Sequence, residues 1–263
     1  MVKTTKVPIL ELRNIKKSFG RSIVALDGVS LSVYNGEVLC LLGDNGAGKS
    51  TLIKLISGVY SQDSGDIFFE GGEVDFKSSK DAIDIGIRTV YQDLAVFPLM
   101  SIAENMVVGS EPTIGWGPFK VLNTKKMKEI ARNGLEKIGV DIADISRTVN
   151  TLSGGQRQTV AIARAEHQGA KLLILDEPTS ALGVKQAAIV LRYVKSVRDR
   201  GIGIILITHS VVHAMAVGDR FVILNHGRLV GSNNKSEVTE SKLTHLMAGG
   251  EELSTLNEKI NDI

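Results

Sequence analysis

Five near-continuous apolar runs punctuate the chain: Val38–Leu42, Ile87–Val90, Leu172–Leu175, Ile204–Thr208 and Phe221–Leu224. Short runs that do not alternate cleanly with polar residues predict strands covered on both faces, as in a parallel sheet. Helical spacing of apolar positions fills several of the intervals, over Ser50–Ser57, Lys125–Ile138, Gly155–His167 and Val184–Arg200. Strand and helix in alternation predict an α/β core with a mostly parallel sheet.

The N-terminal side reads differently. Ile9–Asn14, Val29–Val33 and Ile67–Glu70 predict short strands, separated by turn signals at Phe19-Gly20, Asn35-Gly36 and Gly71-Gly72. Strands so close together, before any long helix, predict an antiparallel β layer. Residues 94–150 hold no strong strand; Gly115-Trp116-Gly117-Pro118 lies between Ile102–Val108 and a helix from Thr124. That stretch predicts a mainly helical insertion, about 94–165 in all, too short for a core of its own. Residues 1–250 then form one domain, and the polar segment Glu251–Ile263 is expected to be a loosely held tail.

Composition narrows the function. With 263 residues, 43% hydrophobic and 23% charged, the chain can bury a sizeable core and resembles an ordinary globular protein. A net charge of +2 and no run of five basic residues argue against a nucleic-acid partner; Lys125-Lys126-Met127-Lys128 reads as a solvated helix face. The one cysteine, Cys40, sits inside an apolar strand as a core residue, so no internal disulfide forms and a reducing cytosol fits. No apolar run approaches the ~20 residues that cross a bilayer, and Met1–Lys6 lacks the apolar core of a signal peptide. Any membrane connection is therefore expected to run through another protein.

Three segments carry chemistry. Gly43-Asp44-Asn45-Gly46-Ala47-Gly48-Lys49-Ser50 fits G-x-x-x-x-G-K-[ST], between a strand and a helix that opens with Thr51. Glycines there let backbone N–H groups turn toward phosphates, and the helix N-terminus adds positive potential. Lys49 would hold the β- and γ-phosphates of ATP and Ser50 would bind Mg²⁺. Asp176 ends an apolar strand, where its carboxylate can reach the Mg²⁺ shell through water. Glu177 follows at once, toward the γ-phosphate, as a candidate general base for the attacking water. In the third segment Ser153 predicts a helix N-cap, with Gly154 and Gly155 allowing close approach and Gln156 opening the helix. A second helix start is a second anion site, which suggests service to a neighbour's nucleotide.

Ser153-Gly154-Gly155-Gln156, followed by Leu172–Leu175 and Asp176-Glu177-Pro178, resembles the signature and acidic motif of ATP-binding cassette (ABC) ATPases. The resemblance runs from about Ile9 to Met247. It implies that Phe19 stacks on adenine, that Gln92 contacts Mg²⁺ or the attacking water, and that His209 is a switch contacting the γ-phosphate. It also implies that Ser153–Gln156 close over ATP held by a second subunit, and that the segment after Gln92 touches a membrane subunit. One departure is Gly183, where the family pattern has Asp; the link between the two ATP sites is what this puts in question. Glu166 is a second oddity, an acid where an apolar residue is expected.

Within the family, Met100–Asn105, Gly109–Pro112, Leu122-Asn123 and Met127 resemble bacterial sugar importers of the ribose, xylose and fructose type. Many of those carry two cassettes, whereas this chain has one, so a homodimer or a pair with a second cassette protein is expected. Two permease subunits and a periplasmic or extracellular sugar-binding protein complete the expected assembly, at the cytoplasmic face of the membrane. Rival readings are an importer or exporter of another substrate, a soluble ABC ATPase acting on DNA or ribosomes, and a GTP switch. The soluble reading lacks a coiled-coil insertion between Asp93 and Leu152. For the GTP switch, Asn234-Lys235-Ser236-Glu237 nearly matches Asn-Lys-x-Asp but ends in Glu.

Overall fold

The computed structural model describes residues 7–20, 22–93, 96–136 and 144–247. The tail expected at 251–263 and the helix end expected at Ile138 lie outside those residues. Near the N-terminus, β1 (Leu10–Phe19) and β2 (Ile23–Val33) run antiparallel, both longer than their apolar runs predict. Asn14 (φ 52) and Gly28 (φ 77) adopt left-handed conformations where the pairing register slips. Those positions read as strand breaks in sequence, but they are bulges inside continuous strands.

After β3 (Val38–Leu42) and α1 (Lys49–Ile56), β4 (Ser64–Phe69) and β5 (Gly72–Val74) join the first pair. The resulting sheet has the order β2-β1-β4-β5, antiparallel throughout, as the sequence predicts. Next come α2 (Ser79–Ile85), β6 (Ile87–Val90) and α3 (Ile102–Val107), the two helices each opened by a capping box. A small hairpin of β7 (Thr113–Ile114) and β8 (Val121–Leu122) leads into α4 (Thr124–Glu136). The chain continues through α5 (Gly154–His167), β9 (Leu172–Asp176), α6 (Val184–Asp199), β10 (Gly203–Ile207) and α7 (Val211–Val217). It closes with β11 (Arg220–Asn225), β12 (Arg228–Asn234) and α8 (Glu240–Met247).

The main sheet has the order β12-β11-β3-β10-β9-β6. Its five strands from β11 to β6 are parallel, and β12 pairs antiparallel at the edge. The apolar runs are explained by the two faces. Val38, Cys40, Leu173, Leu175, Ile204 and Phe221 pack into a core with α3 to α8, while Leu39, Leu41, Leu172, Ile174, Ile205 and Val222 pack against the antiparallel layer and α1. Burying both faces leaves no solvent side to mark with polar residues. β12, which the sequence did not reveal, has no buried residue and follows a two-residue turn at His226 (φ 44) and Gly227 (φ 75).

Glu166 has a structural answer. Near the end of α5 it accepts hydrogen bonds from Tyr193 Oη on α6 (2.7 Å) and from Arg200 Nε and Nη2 (2.8 and 2.7 Å). Burial, and next the Glu166 charge, push the Tyr193 phenol well above its ordinary pKa, so it stays a donor. The acid locks α5 onto α6 at a site where an apolar residue would strand the Tyr193 hydroxyl. Replacing Glu166 by Ala is expected to destabilise the fold by about 1–3 kcal/mol, because the buried Tyr193 hydroxyl loses its acceptor and Arg200 its ion-pair partner. Urea denaturation should show the lower midpoint, with Tyr193→Phe milder and ATP turnover of the folded protein unchanged.

Candidate functional site

Gly43 to Gly48 turn the chain from the buried end of β3 into α1. Two of these glycines are required by close approach. A Cβ on Gly43 (φ 148) would lie 2.2 Å from Leu224 O, and one on Gly48 (φ 104) 2.6 Å from Ala25 O. Between them Asp44 Oδ1 accepts from Asn45 N (2.7 Å), and Asp44 O accepts from Ala47 N (3.2 Å). Gly48 is the N-cap of α1, with no side-chain cap and no acid in the first turn. The helix start thus keeps its unbonded N–H groups and positive potential facing outward.

This loop floors a cleft of about 380 Å³, lined by Asn45, Gly46, Ala47, Gly48, Lys49, Ser50 and Thr51 together with Gln92, Asp176, Glu177 and Phe19. Gly43 and Asp44 stand behind it, their carbonyls accepting from Lys49 Nζ at 2.7 and 2.9 Å. Burial lowers the Lys49 pKa, opposed by Glu177, Asp44 and Asp176. Phe19 meets Tyr60 edge-on, ring centroids 5.3 Å apart. Ile23, Val24 and Ala25 of β2 form the wall beside it. Sequence reading missed those three. Their signal was an apolar pair, Ile23-Val24, set directly across the turn from Phe19 and left 62% and 59% exposed.

The acids arrive on β9. Asp176 pairs in register with Ile207, and Glu177 N extends that ladder by donating to Ile207 O (3.0 Å). Glu177 is left-handed (φ 47), a strained conformation for a non-glycine residue. Its Oε1 accepts from His209 N (3.0 Å) and lies 2.9 Å from His209 Nδ1. Oε2 is buried with no hydrogen-bond partner among the described residues. The Glu177 side chain is 13% exposed and that of His209 65%; His209 meets the acid but is not among the residues lining the cleft. Burial, and then Glu177, raise the Asp176 pKa above the usual carboxylate range, with Lys49 and Lys54 opposing.

Ser153, Gly154, Gly155 and Gln156 are absent from the residues lining this cleft. Ser153 caps α5 and exchanges hydrogen bonds with Gln156 in a capping box, at 3.0 and 3.3 Å. A Cβ on Gly154 would lie 2.9 Å from Leu182 Cδ2, and one on Gly155 3.0 Å from Gln186 Cβ. The paired glycines therefore let the start of α5 press on the start of α6. Gly183 is the N-cap of α6 and supplies no side-chain cap. Asn234 is taken up by Glu237 in a capping box after β12 and does not line the cleft, so the partial guanine motif forms no base pocket here.

A parallel sheet whose glycine loop and strand-end acids share one cleft defines a P-loop nucleotide-binding domain. A sequence profile of the family described as ABC transporter matches residues 26–180. The xylose/arabinose import ATP-binding protein of Sulfolobus acidocaldarius is 45% identical over 240 residues, 91% of this chain and 93% of that one. The fructose import ATP-binding protein of Rhizobium meliloti is 45% identical over 249 residues, covering 93% and 95%. A ribose import ATP-binding protein of Escherichia coli O157:H7 is 38% identical over 256 residues, and this chain spans 49% of its length. Among solved structures, the ADP conformation of an ATP-binding cassette of an ABC transporter superposes with TM-score 0.76 at 28% identity, covering 92% of this chain and 95% of that one. A nucleotide-free cassette gives 0.75 at 28%, covering 89% and 94%. The chain belongs to the ABC transporter family, as an ATPase cassette.

The raised pKa of Asp176 has a testable sign. A carboxyl whose folded pKa lies above its unfolded one favours the proton in the native state, so its ionised form costs stability as pH rises through that range. Asp176→Asn is expected to melt higher than the wild type at neutral pH without nucleotide, with the gap closing in acid. Mg-ATP should restore the order, raising the wild-type melting temperature more than that of the variant; scanning calorimetry reads both.

Proposed function

We propose that the chain is the ATP-hydrolysing subunit of an ABC importer, coupling ATP binding and hydrolysis in a cassette dimer to uptake of a sugar through membrane permease subunits. The observation that carries the hydrolytic part is the Glu177 carboxylate, one oxygen held by His209 and the other buried with no hydrogen-bond partner among the described residues. An acceptor in that position can orient a water and take its proton as the water attacks the γ-phosphate.

The other residues take complementary parts. Phe19, with Ile23 and Val24 beside it, offers a flat apolar seat for adenine. Gly46 to Thr51 surround the phosphates with backbone N–H groups, and Lys49 moves from its loop carbonyls onto the β- and γ-phosphates. Ser50, Asp176 and Gln92 would hold Mg²⁺; one or two protein ligands beside phosphate oxygens is the usual arrangement for this ion. When bound, it neutralises charge on the phosphates. His209, exposed and in contact with Glu177, is assigned to sense the γ-phosphate.

Because Ser153–Gln156 lie outside their own cleft, they are assigned to ATP on a second cassette, a copy of this chain or another cassette protein. The domain is taken as residues 1–250, with a helical part at about 94–165 and a tail at 251–263. Phe97 and Leu99, 48% and 83% exposed after Gln92, suit contact with a permease. Among the described residues no helix is long and apolar enough to cross a membrane. The import relatives support a position at the cytoplasmic face, held through a permease and fed by a periplasmic or extracellular sugar-binding protein. Sugar as cargo rests on the xylose/arabinose, fructose and ribose import relatives.

In Glu177→Gln, Mg-ATP turnover is expected to fall by about 10²–10⁴-fold. Light scattering should show an ATP-bound dimer accumulating in the same variant. Undiminished turnover would remove Glu177 from the role of base. For the cargo, deleting the gene should abolish uptake of one sugar among labelled xylose, arabinose, fructose and ribose, and full uptake of all four would count against sugar import.

A further inference from the structure

Thr113 to Leu122 are ten consecutive residues with none buried or half-buried, forming the β7–β8 hairpin and its tip. Five carry large apolar side chains: Trp116 is 86% exposed, Phe119 79%, Val121 59%, Leu122 53% and Ile114 52%. Single exposed apolar residues are ordinary, but contiguous ones mark a contact surface.

The excursion is built rather than slack. Thr113 pairs with Leu122 and Ile114 with Val121, Asn123 N donates to Pro112 O (2.8 Å), and Phe119 N donates to Trp116 O (3.1 Å). Gly115 has φ 105, and a Cβ there would lie 2.4 Å from Phe119 O, so the tip geometry requires glycine. These hydrogen bonds hold two aromatic rings away from the core. Charge adds a second, independent property. From Pro112 to Lys128 the chain has no Asp or Glu but carries Lys120, Lys125, Lys126 and Lys128, all exposed, with Lys126 paired to Glu129 at 2.9 Å. The first turns of α4 thereby set a basic flank beside the apolar tip.

Exposed indole and phenyl rings beside lysines match the boundary between anionic headgroups and acyl chains, where aromatic rings settle and lysines meet phosphates. A protein socket for the same surface would need carboxylates around an apolar pocket, whereas an anionic lipid surface supplies both features everywhere. We propose that the β7–β8 hairpin is a membrane-surface contact, seating Trp116 and Phe119 among anionic lipid headgroups while Lys120 and the α4 lysines hold the phosphates. It gives the cassette a direct hold on the bilayer beside any permease, and it does not depend on which solute is carried.

Trp116 is the one tryptophan of the chain, so intrinsic fluorescence reads this hairpin alone. Purified protein should show blue-shifted, quencher-protected emission, and should co-sediment, with phosphatidylcholine vesicles containing one third phosphatidylglycerol. Pure phosphatidylcholine and high salt should both weaken the effect. Lys120→Glu and Lys125→Glu should each lower partitioning by about fivefold or more. Phe119→Ser should lower it as well, and all three variants should keep wild-type Mg-ATP turnover. Unshifted emission with the anionic vesicles would overturn the proposal, as would binding indifferent to lipid charge. A shift seen only when a permease is present would assign the hairpin to a protein partner instead. Loss of ATP turnover in the wild type would count against the ATPase reading and leave the vesicle result standing.

Discussion

The site depends on a sheet that is buried on both faces. Leu172 to Leu175 of β9 are fully inaccessible, as are most residues of β3, β10 and β11. Charged side chains inside such a slab would carry a large desolvation cost, so they emerge only where a strand ends. Asp176 is the first residue past the slab on β9, and the ladder bond from Glu177 N to Ile207 O fixes the second. His209 stands two residues beyond Ile207 on the neighbouring strand, which brings it to Glu177 by register alone. Acid, acid and imidazole are placed by β-pairing, and their separation in sequence is immaterial.

What the slab delivers is uncomfortable without a ligand. A left-handed glutamate costs about 1–3 kcal/mol, and its buried Oε2 without a partner costs about as much again. Asp176 is held beside Glu177 against like charge and partial burial. Lys49 is desolvated while folded onto its own loop carbonyls. Under the proposed function each of these unfavourable terms would be relieved on binding, by a donor for Oε2, a cation near Asp176 and phosphate oxygens for the Lys49 ammonium. The fold offsets the strain through its two apolar cores, one of which reaches the cleft at Ala47. A site tuned to its ligand can thus be unfavourable locally and persist.

Legibility in the sequence follows the same physics. β3 and β6 appear with their full bounds, and β9, β10 and β11 within a residue at each end, because a strand covered twice must be apolar throughout. Asn14 and Gly28 ended the expected strands early, since a bulge uses the same residues as a turn. β12 escaped notice because no residue of it is buried, and the short α2, α7 and α8 give little periodicity. In the site, the glycine loop and the acids were legible because close backbone approach at Gly43 and Gly48 and the end of a buried strand at Asp176 restrict residue type. The wall of Ile23, Val24 and Ala25 was not, since any small or apolar residue serves there. Nor was the role of Glu166, whose partners Tyr193 and Arg200 come together only when α5 packs on α6.

Two helix starts lie side by side through that packing, because Gly154 and Gly155 admit Leu182 and Gln186 more closely than a Cβ there would allow without a shift. Both carry the positive end of a helix dipole. At α5 the Ser153–Gln156 capping box satisfies part of the free N–H set with neutral groups. At α6 the N-cap is Gly183, the first turn holds no acid, and Val184 is 88% exposed. An aspartate at 183 would meet no clash, since nothing lies within 4 Å of a Cβ there, and its charge would cancel much of this field. Glycine leaves the field standing. The surface outside the chain's own cleft therefore keeps the positive ends of two helices, built from backbone alone, and glycine at 183 sets no charge against them.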